Sequence, residues 1–147
     1  MADTDLIKLY SGRILELAAD IPLLDPLEAP QASVKKRSPQ CGSTVTVALS
    51  MQDGRISEFG QDVKACALGQ ASASVLAAKV IGRTKDDIQN ARAQLIGMLK
   101  NNGPVPDAPF SEFEVLIPAR DFKNRHASIM LALDATSECI ENIEQNA

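Results

Sequence analysis

The residue best suited to nucleophilic or metal-binding chemistry is Cys66. It begins a stretch of small, apolar residues that contains no charge. Leu68, Ala71, Val75 and Ala78 recur at spacings of three and four, the period of an α-helix. Cys66 is therefore predicted in the first turn of a buried helix, where free backbone N–H groups and the helix dipole stabilise a thiolate. A thiolate binds metal and attacks sulfur. The alternative is a small buried apolar residue, the usual role of a free cysteine.

A second cysteine, Cys41, is predicted to lie beside Cys66. Residues 43–49 alternate apolar and polar side chains, Asp53-Gly54 is a strong signal for a tight hairpin turn, and residues 55–61 return as a second strand with a bulge. Cys41 precedes the first strand and Cys66 follows the second. Because the outer ends of an antiparallel hairpin meet, the two thiols are expected to be spatial neighbours.

His126, the one histidine, extends the apolar stripe of a last helix that is predicted from about residue 121 to 146. If that helix packs with its N-terminus beside that of the Cys66 helix, His126 meets Cys41 and Cys66. Two thiolates and an imidazole suit zinc or an iron–sulfur cluster. The alternative is a core histidine whose ring is satisfied by a hydrogen bond.

Other patterns complete the predicted architecture, an α+β fold. They are a first helix capped by Thr4 or Asp5, an edge strand at residues 32–37, a helix capped by Thr84 and Asp87, and a short extended piece at residues 112–117. Two basic runs are either solvated or face an acidic partner: Lys35-Lys36-Arg37, and Arg120, Lys123 and Arg125.

Composition limits the function classes. A chain of 147 residues fits one domain, and a net charge of -4 with 3% aromatic residues argues against nucleic acid as a partner. No apolar run is long enough to span a membrane. Three cysteines and an acidic start, unlike a signal peptide, are typical of a reducing cytoplasm.

Two segments carry a family resemblance. Cys41-Gly42 before an alternating strand, then Cys66-Ala67-Leu68-Gly69-Gln70-Ala71-Ser72-Ala73-Ser74, resemble the scaffold family of iron–sulfur cluster assembly, of the IscU, SufU and NifU N-terminal type. The resemblance extends from about Leu6 to Ala135. It implies a single domain over residues 1–147, with a small antiparallel sheet of about three strands packed against four to five helices.

The resemblance also implies a role. Members of this family use three cysteines and one aspartate to receive sulfur from a cysteine desulfurase and to hold iron or a transient [2Fe–2S] cluster. They pass the cluster to apo acceptor proteins. For this chain it implies Cys41 and Cys66 as ligands, a non-enzymatic carrier role, and a homodimer as one oligomeric state.

The chain departs from the family pattern at two positions. Ser43 stands where the family has aspartate, and the third cysteine is replaced by Ser128 or by Ala127, depending on the alignment. Cys139 lies about three helical turns further on and is interpreted as a core or surface thiol. The remaining candidate ligands are therefore His126, Ser43 and Ser128.

These departures leave two alternatives to a cluster scaffold. One is a SufU-like sulfur relay, in which zinc is held by Cys41, Cys66 and His126 and Cys66 accepts a persulfide. The other is a metal-free paralogue that only binds assembly partners.

Overall fold

The computed structural model describes residues 11–39 and 42–146, which form the predicted α+β fold. Within these ranges four α-helices and two 3₁₀ helices accompany a three-stranded antiparallel sheet. In chain order the elements are α1 (Gly12–Ala19), β1 (Ala32–Arg37), β2 (Thr44–Gln52), β3 (Arg55–Lys64), α2 (Ala67–Lys79), α3 (Lys85–Lys100), 3₁₀ helices at Ser111–Asp121 and Lys123–Arg125, and α4 (His126–Gln145).

The sheet has β2 at its centre, with β1 and β3 as antiparallel neighbours. The alternation that predicted β2 is confirmed, since Val45, Val47 and Leu49 are fully buried. Branched and large apolar side chains on alternate positions give a strand one face for a core. The predicted edge strand β1 is confirmed as well.

The predicted hairpin turn and bulge are both present. Asp53 and Gly54 have φ of 56° and 77°, the left-handed conformation that a two-residue hairpin turn requires. Ser57 is the extra residue where the register between β2 and β3 shifts. The bulge lets Ile56 and Phe59, which are out of strict alternation, both reach the core.

The helices cover the inner face of the sheet. α4 packs against β1 and β2, and also against α2 and α3. Ser72 on α2 donates a hydrogen bond of 2.6 Å to the carbonyl of Ile129 on α4. α2 is buried on almost every side, so its small residues allow close contact with its neighbours.

The predicted start of α3 is confirmed by a complete capping box. The Thr84 hydroxyl accepts from the Asp87 amide at 3.1 Å, and the Asp87 carboxylate accepts from the Thr84 amide at 3.0 Å. The apolar stripe of this helix is buried: Ile88, Ala91, Leu95 and Met98.

The extended piece predicted at residues 112–117 is wrong. Those residues belong to the 3₁₀ helix Ser111–Asp121. Its buried side chains recur every third residue, at Phe113, Leu116 and Ala119, and in a 3₁₀ helix residues three apart lie on one face. The last helix also begins at His126 rather than at residue 121, because the 3₁₀ helices occupy the preceding segment.

At the N-terminal side, Ser11 caps α1 and its hydroxyl accepts from the Ile14 amide at 3.4 Å. The predicted caps Thr4 and Asp5 lie outside the described residues. Ile14 and Leu17 on α1 are buried. Across residues 11–39 and 42–146, no helix combines the length and apolarity needed to cross a membrane.

Candidate functional site

Cys66 occupies the N-cap position of α2, next to the end of β3. Its backbone is extended, with φ of -65° and ψ of 167°, and its side chain is partly exposed. The sulfur is a free thiol that caps no amide of its own helix. The predicted position of Cys66 at the start of this helix is therefore confirmed.

Two buried serines face this thiol. The Sγ atom of Cys66 lies 3.5 Å from Oγ of Ser128, and Ser128 donates a 3.0 Å hydrogen bond to Oγ of Ser43. With its own proton committed to Ser43, the Ser128 oxygen accepts from the Cys66 thiol. When Cys66 ionises, rotation of the two hydroxyls lets Ser128 donate to the thiolate instead.

The fold explains why these three residues meet. Ser43 immediately precedes β2, whose first residue pairs with Lys64 at the end of β3, two residues before Cys66. Ser128 lies in the first turn of α4, and α4 packs against α2. Three segments, namely the start of β2, the junction of β3 with α2, and the first turn of α4, thus converge at one end of the sheet.

Gly69 sets how closely α2 and α4 approach at the site. A Cβ atom at Gly69 would lie 2.6 Å from Oγ of Ser128 and 2.9 Å from Cβ of Ala65. Only glycine leaves room for the Ser128 hydroxyl beside Cys66. The sequence reasoning did not assign Gly69 a role, although a glycine inside a helical pattern is a signal for close packing.

Cys41 lies outside the described residues, so its predicted proximity to Cys66 stays a prediction. Gly42 and Ser43, which follow it, are both hydrogen-bonded to Ser38. The Gly42 amide donates to the Ser38 carbonyl at 3.0 Å, and the Ser38 amide donates to the Ser43 carbonyl at 2.8 Å. Gly42 has φ of 70°, which glycine adopts without strain.

His126 is buried at the start of α4, but its ring is directed away from Cys66. Its Nε2 atom lies 2.9 Å from the Ala119 carbonyl, and because a carbonyl only accepts, Nε2 carries the proton. Nδ1 is then a buried lone pair without a partner among the described residues. His126 and Ser128 are two residues apart, about 200° around the helix, so the side facing Cys66 is the one that carries Ser128.

The predicted metal set stays a prediction, since it includes Cys41. Within the described ranges, no three His, Cys, Asp or Glu side chains are grouped to hold a metal ion. Ala127, the other candidate for the third-cysteine position, is exposed. Arg120 of the predicted basic cluster donates to the carbonyls of Met98 and Gly103 at 2.7 and 2.8 Å. These bonds stabilise the end of α3 and the loop that follows it, and do not involve Cys66.

Cys139 is a core thiol. It is fully buried on α4 and donates to the Val47 carbonyl at 3.3 Å. Burial, which disfavours the charged thiolate, raises the pKa of Cys139 to about 12. Of the two predicted environments for this residue, the structure has the core.

The two described thiols are expected to differ sharply in reactivity. In the native protein near neutral pH, iodoacetamide should alkylate Cys66 at least ~100-fold faster than Cys139, because only exposed thiolate reacts. Peptide mass spectrometry over time measures both rates. In a concentrated guanidinium solution the difference should vanish. Native alkylation of Cys139 at the rate of Cys66 would contradict the buried assignment.

Comparison with known proteins agrees with this architecture. The profile of the "NifU-like N terminal domain" matches residues 9–110. A nitrogen-fixing NifU-like protein (N-terminal) from Brucella abortus is 46% identical, with a TM-score of 0.94 over 97% of this chain and 99% of that one. None of the curated proteins compared with the chain matches it.

Two more distant structures share the fold alone. One is a hypothetical protein with 20% identity and a TM-score of 0.78, covering 90% of this chain and 97% of that one. The other is a candidate iron–sulfur cluster assembly scaffold protein for the SUF system from Fervidobacterium islandicum, with 19% identity and a TM-score of 0.74 over 90% and 96%. The match over residues 9–110 covers more than half of the 147 residues, and the chain belongs to the NifU-like N terminal domain family.

Proposed function

We propose that this protein is an iron–sulfur cluster assembly scaffold or carrier that holds iron or a transient [2Fe–2S] cluster through Cys41 and Cys66. The observation that carries the proposal is the Cys66 thiol, partly exposed at the N-cap of α2 and facing Ser128. Family membership supports the role, because the related domains include proteins named for cluster assembly. The proposal treats residues 1–147 as one domain working in the cytoplasm.

The donor set limits what the site can hold. A [2Fe–2S] cluster takes four ligands, which are usually thiolates. Ser43 and Ser128 offer neutral hydroxyls at the positions that the family resemblance assigns to aspartate and cysteine, and both hydroxyls are engaged in one hydrogen-bond chain. With only two thiolates from one chain, the cluster is expected to be bound weakly and briefly. Its remaining ligands would come from a second subunit or from the apo acceptor protein.

Sulfur acceptance by Cys66 is a second function that the hydroxyl chain favours. The Cys66 thiolate attacks the outer sulfur of a persulfide on a cysteine desulfurase. A new S–S bond forms at Cys66, the donor's S–S bond breaks, and the donor cysteine leaves as a thiolate, so the step involves no net oxidation. Ser128 can donate to the thiolate before attack, supported by Ser43.

The test is metal and acid-labile sulfide content, with an absorption spectrum, on protein purified without oxygen. Iron and sulfide should be present in the wild type and fall below about a tenth in Cys41→Ala and Cys66→Ala. Cys139→Ser is the matched control, because that thiol is buried and remote from Cys66, and it should retain both.

Other outcomes would decide against the cluster role. Iron and sulfide that survive in both variants would exclude Cys41 and Cys66 as ligands. Zinc at about one per chain that is lost in His126→Ala would indicate a zinc-containing sulfur relay. Absence of any metal, with no persulfide on Cys66 after incubation with a cysteine desulfurase, would leave a protein that acts only through partner contacts.

A further inference from the structure

The outer face of the sheet, opposite the helices, carries a line of positive charge at its end nearest Cys66. Thr44 pairs with Arg37 on one side and with Lys64 on the other, so these three residues form one row across the strands. We call Arg37, Thr44 and Lys64 the cationic row. Lys35 stands in the next row, beside Thr46, and both lysines and Arg37 are exposed.

These cations are largely free to meet a partner. Lys36, whose side chain points to the opposite face, pairs with Glu138 on α4 at 3.5 Å. On the outer face Lys64 lies 4.0 Å from Asp62, and both side chains are mostly exposed, so this ion pair is weak. The two rows keep an excess of positive charge on a chain whose net charge is -4.

An apolar groove adjoins the cationic row. The loop between α1 and β1 crosses the outer face and encloses a cavity of about 440 Å³ with the sheet. Leu24, Pro26 and Leu27 line its loop side, and Thr46 and Ala48 line its floor. Asp62, which pairs with Thr46 in the row of Lys35, also lines it and is the one carboxylate among the groove's described residues. Leu24 is 49% exposed, which is typical of an apolar residue at an interaction surface.

The loop between α1 and β1 is fixed to β3 by a backbone hydrogen bond and by close backbone contact. The backbone amide of Gln61 donates to the Leu23 carbonyl at 3.0 Å. A Cβ atom at Gly60 would lie 2.6 Å from the Asp25 carbonyl oxygen, so the loop backbone sits directly on β3. The groove therefore exists before a partner binds, which lowers the entropic cost of binding.

The position of this surface connects it to the thiol. Lys64 is two residues before Cys66, a distance of at most roughly 7 Å along the chain. Adjacent rows of the same face are also separated by roughly 7 Å. A partner segment that is seated in the groove and then follows the cationic row to Lys64 therefore ends beside Cys66.

We propose that the groove and the cationic row together dock an acidic segment of the protein that donates sulfur to Cys66, with an apolar side chain in the groove and carboxylates on Arg37, Lys35 and Lys64. The inference rests on the proposed function, since it names the surface that presents the donor's persulfide to Cys66. Charge complementarity supplies the orientation and the encounter rate, and the apolar anchor supplies the lifetime. Nucleic acid fits less well, because the described residues of this face form a groove for an apolar group and no aromatic stacking platform.

The test uses the cysteine desulfurase from the same genome and the charge-reversal variant Arg37→Glu/Lys64→Glu. Transfer of ³⁵S from cysteine to Cys66 is followed over time at low ionic strength. The second-order rate constant should fall ~10-fold or more. The difference should shrink at about 0.5 M salt, where screening acts over only a few ångströms. Leu24→Ser should weaken binding without changing the salt dependence.

Controls separate docking from chemistry and from folding. Lys79→Glu/Lys100→Glu makes the same charge change at the exposed C-terminal ends of α2 and α3 and should alter the rate less than ~2-fold. Alkylation of Cys66 by neutral iodoacetamide should change little in either variant, which shows that the thiol is intact.

Binding of the desulfurase to Cys66→Ala measures docking apart from sulfur transfer. The proposal is overturned if Arg37→Glu/Lys64→Glu binds as tightly as wild type, or loses no more than the control. It is equally overturned if the desulfurase does not bind, or if a short RNA binds the row in its place. If wild type binds the desulfurase, Arg37→Glu/Lys64→Glu weakens that binding, and Cys66 accepts no sulfur, then the docking surface is supported and the proposed sulfur transfer is excluded.

Discussion

Gly69→Ala is expected to destabilise the protein by about 1–3 kcal/mol, the usual cost of overpacking a core. The added methyl group would lie 2.6 Å from Oγ of Ser128, 2.9 Å from Cβ of Ala65 and 3.2 Å from the Ser128 carbonyl oxygen. Ser128 is 1% exposed, so its side chain has little room to move. The free energy of unfolding from guanidinium titration measures the effect.

The direction of this effect is the opposite of the general rule for helices. Alanine is normally favoured over glycine inside a helix by about 1 kcal/mol. Gly97 in α3 provides the matched control, because nothing lies within 4 Å of a Cβ atom built there. Gly97→Ala should therefore stabilise the protein by about 0.5–1 kcal/mol.

A double variant identifies the atom responsible. Ser128→Ala removes the oxygen at 2.6 Å, so Gly69→Ala should cost about 1 kcal/mol less in that background than alone. Equal costs in both backgrounds would mean that the Ala65 contact dominates. A stabilising Gly69→Ala would show that α2 and α4 approach less closely than described, and with them Cys66 and Ser128.

The sheet and its turn were predictable because their signals are local. Alternation at Val45, Val47 and Leu49 and the turn at Asp53-Gly54 each act over a few neighbouring residues. The capping box of Thr84 is equally local. These elements fixed the hairpin and placed Cys66 at the start of α2 without any knowledge of the tertiary fold.

The 3₁₀ helix at Ser111–Asp121 escaped prediction for a physical reason. A period of three lies between the alternation of a strand and the period of an α-helix, and Pro118 obscures both. The apolar spacing of Phe113, Leu116 and Ala119 carried the signal. The 3₁₀ helices also occupy residues that the sequence assigns to the start of the last helix, so the predicted start at about residue 121 is too early.

The serine chain at the site depends on tertiary packing and could be only partly predicted. Ser43 and Ser128 were named as candidate ligands from the family pattern, but nothing local indicates a hydrogen bond between residues 85 apart in sequence. For His126, the hydrogen-bond partner is the Ala119 carbonyl, which belongs to the 3₁₀ helix Ser111–Asp121 that the sequence does not predict. The direction of its ring therefore depends on an element that is absent from the predicted architecture.

If the site holds iron or a cluster as proposed, Ser128→Cys is expected to make that binding stable. The Ser128 oxygen lies 3.5 Å from the Cys66 sulfur, so a thiol there supplies a third soft ligand beside Cys66. Thiolates bind iron and zinc far better than serine hydroxyls do. The amount of iron and sulfide retained after gel filtration under reducing, oxygen-free conditions should rise about tenfold or more.

Ser137→Cys is the control for this experiment. Ser137 is also buried on α4, where its hydroxyl accepts from Gln89 at 2.7 Å, but it lies away from Cys66. It adds one thiol to the same helix and should leave iron and sulfide unchanged. An equal rise in both variants would mean non-specific binding by an extra thiol, and no rise with Ser128→Cys would exclude the Cys66 environment as a cluster site. A rise confined to Ser128→Cys would mean that the native hydroxyl keeps the affinity of this site for iron and sulfide low. Low affinity suits the proposed carrier role, because a carrier must release what it holds to an acceptor protein.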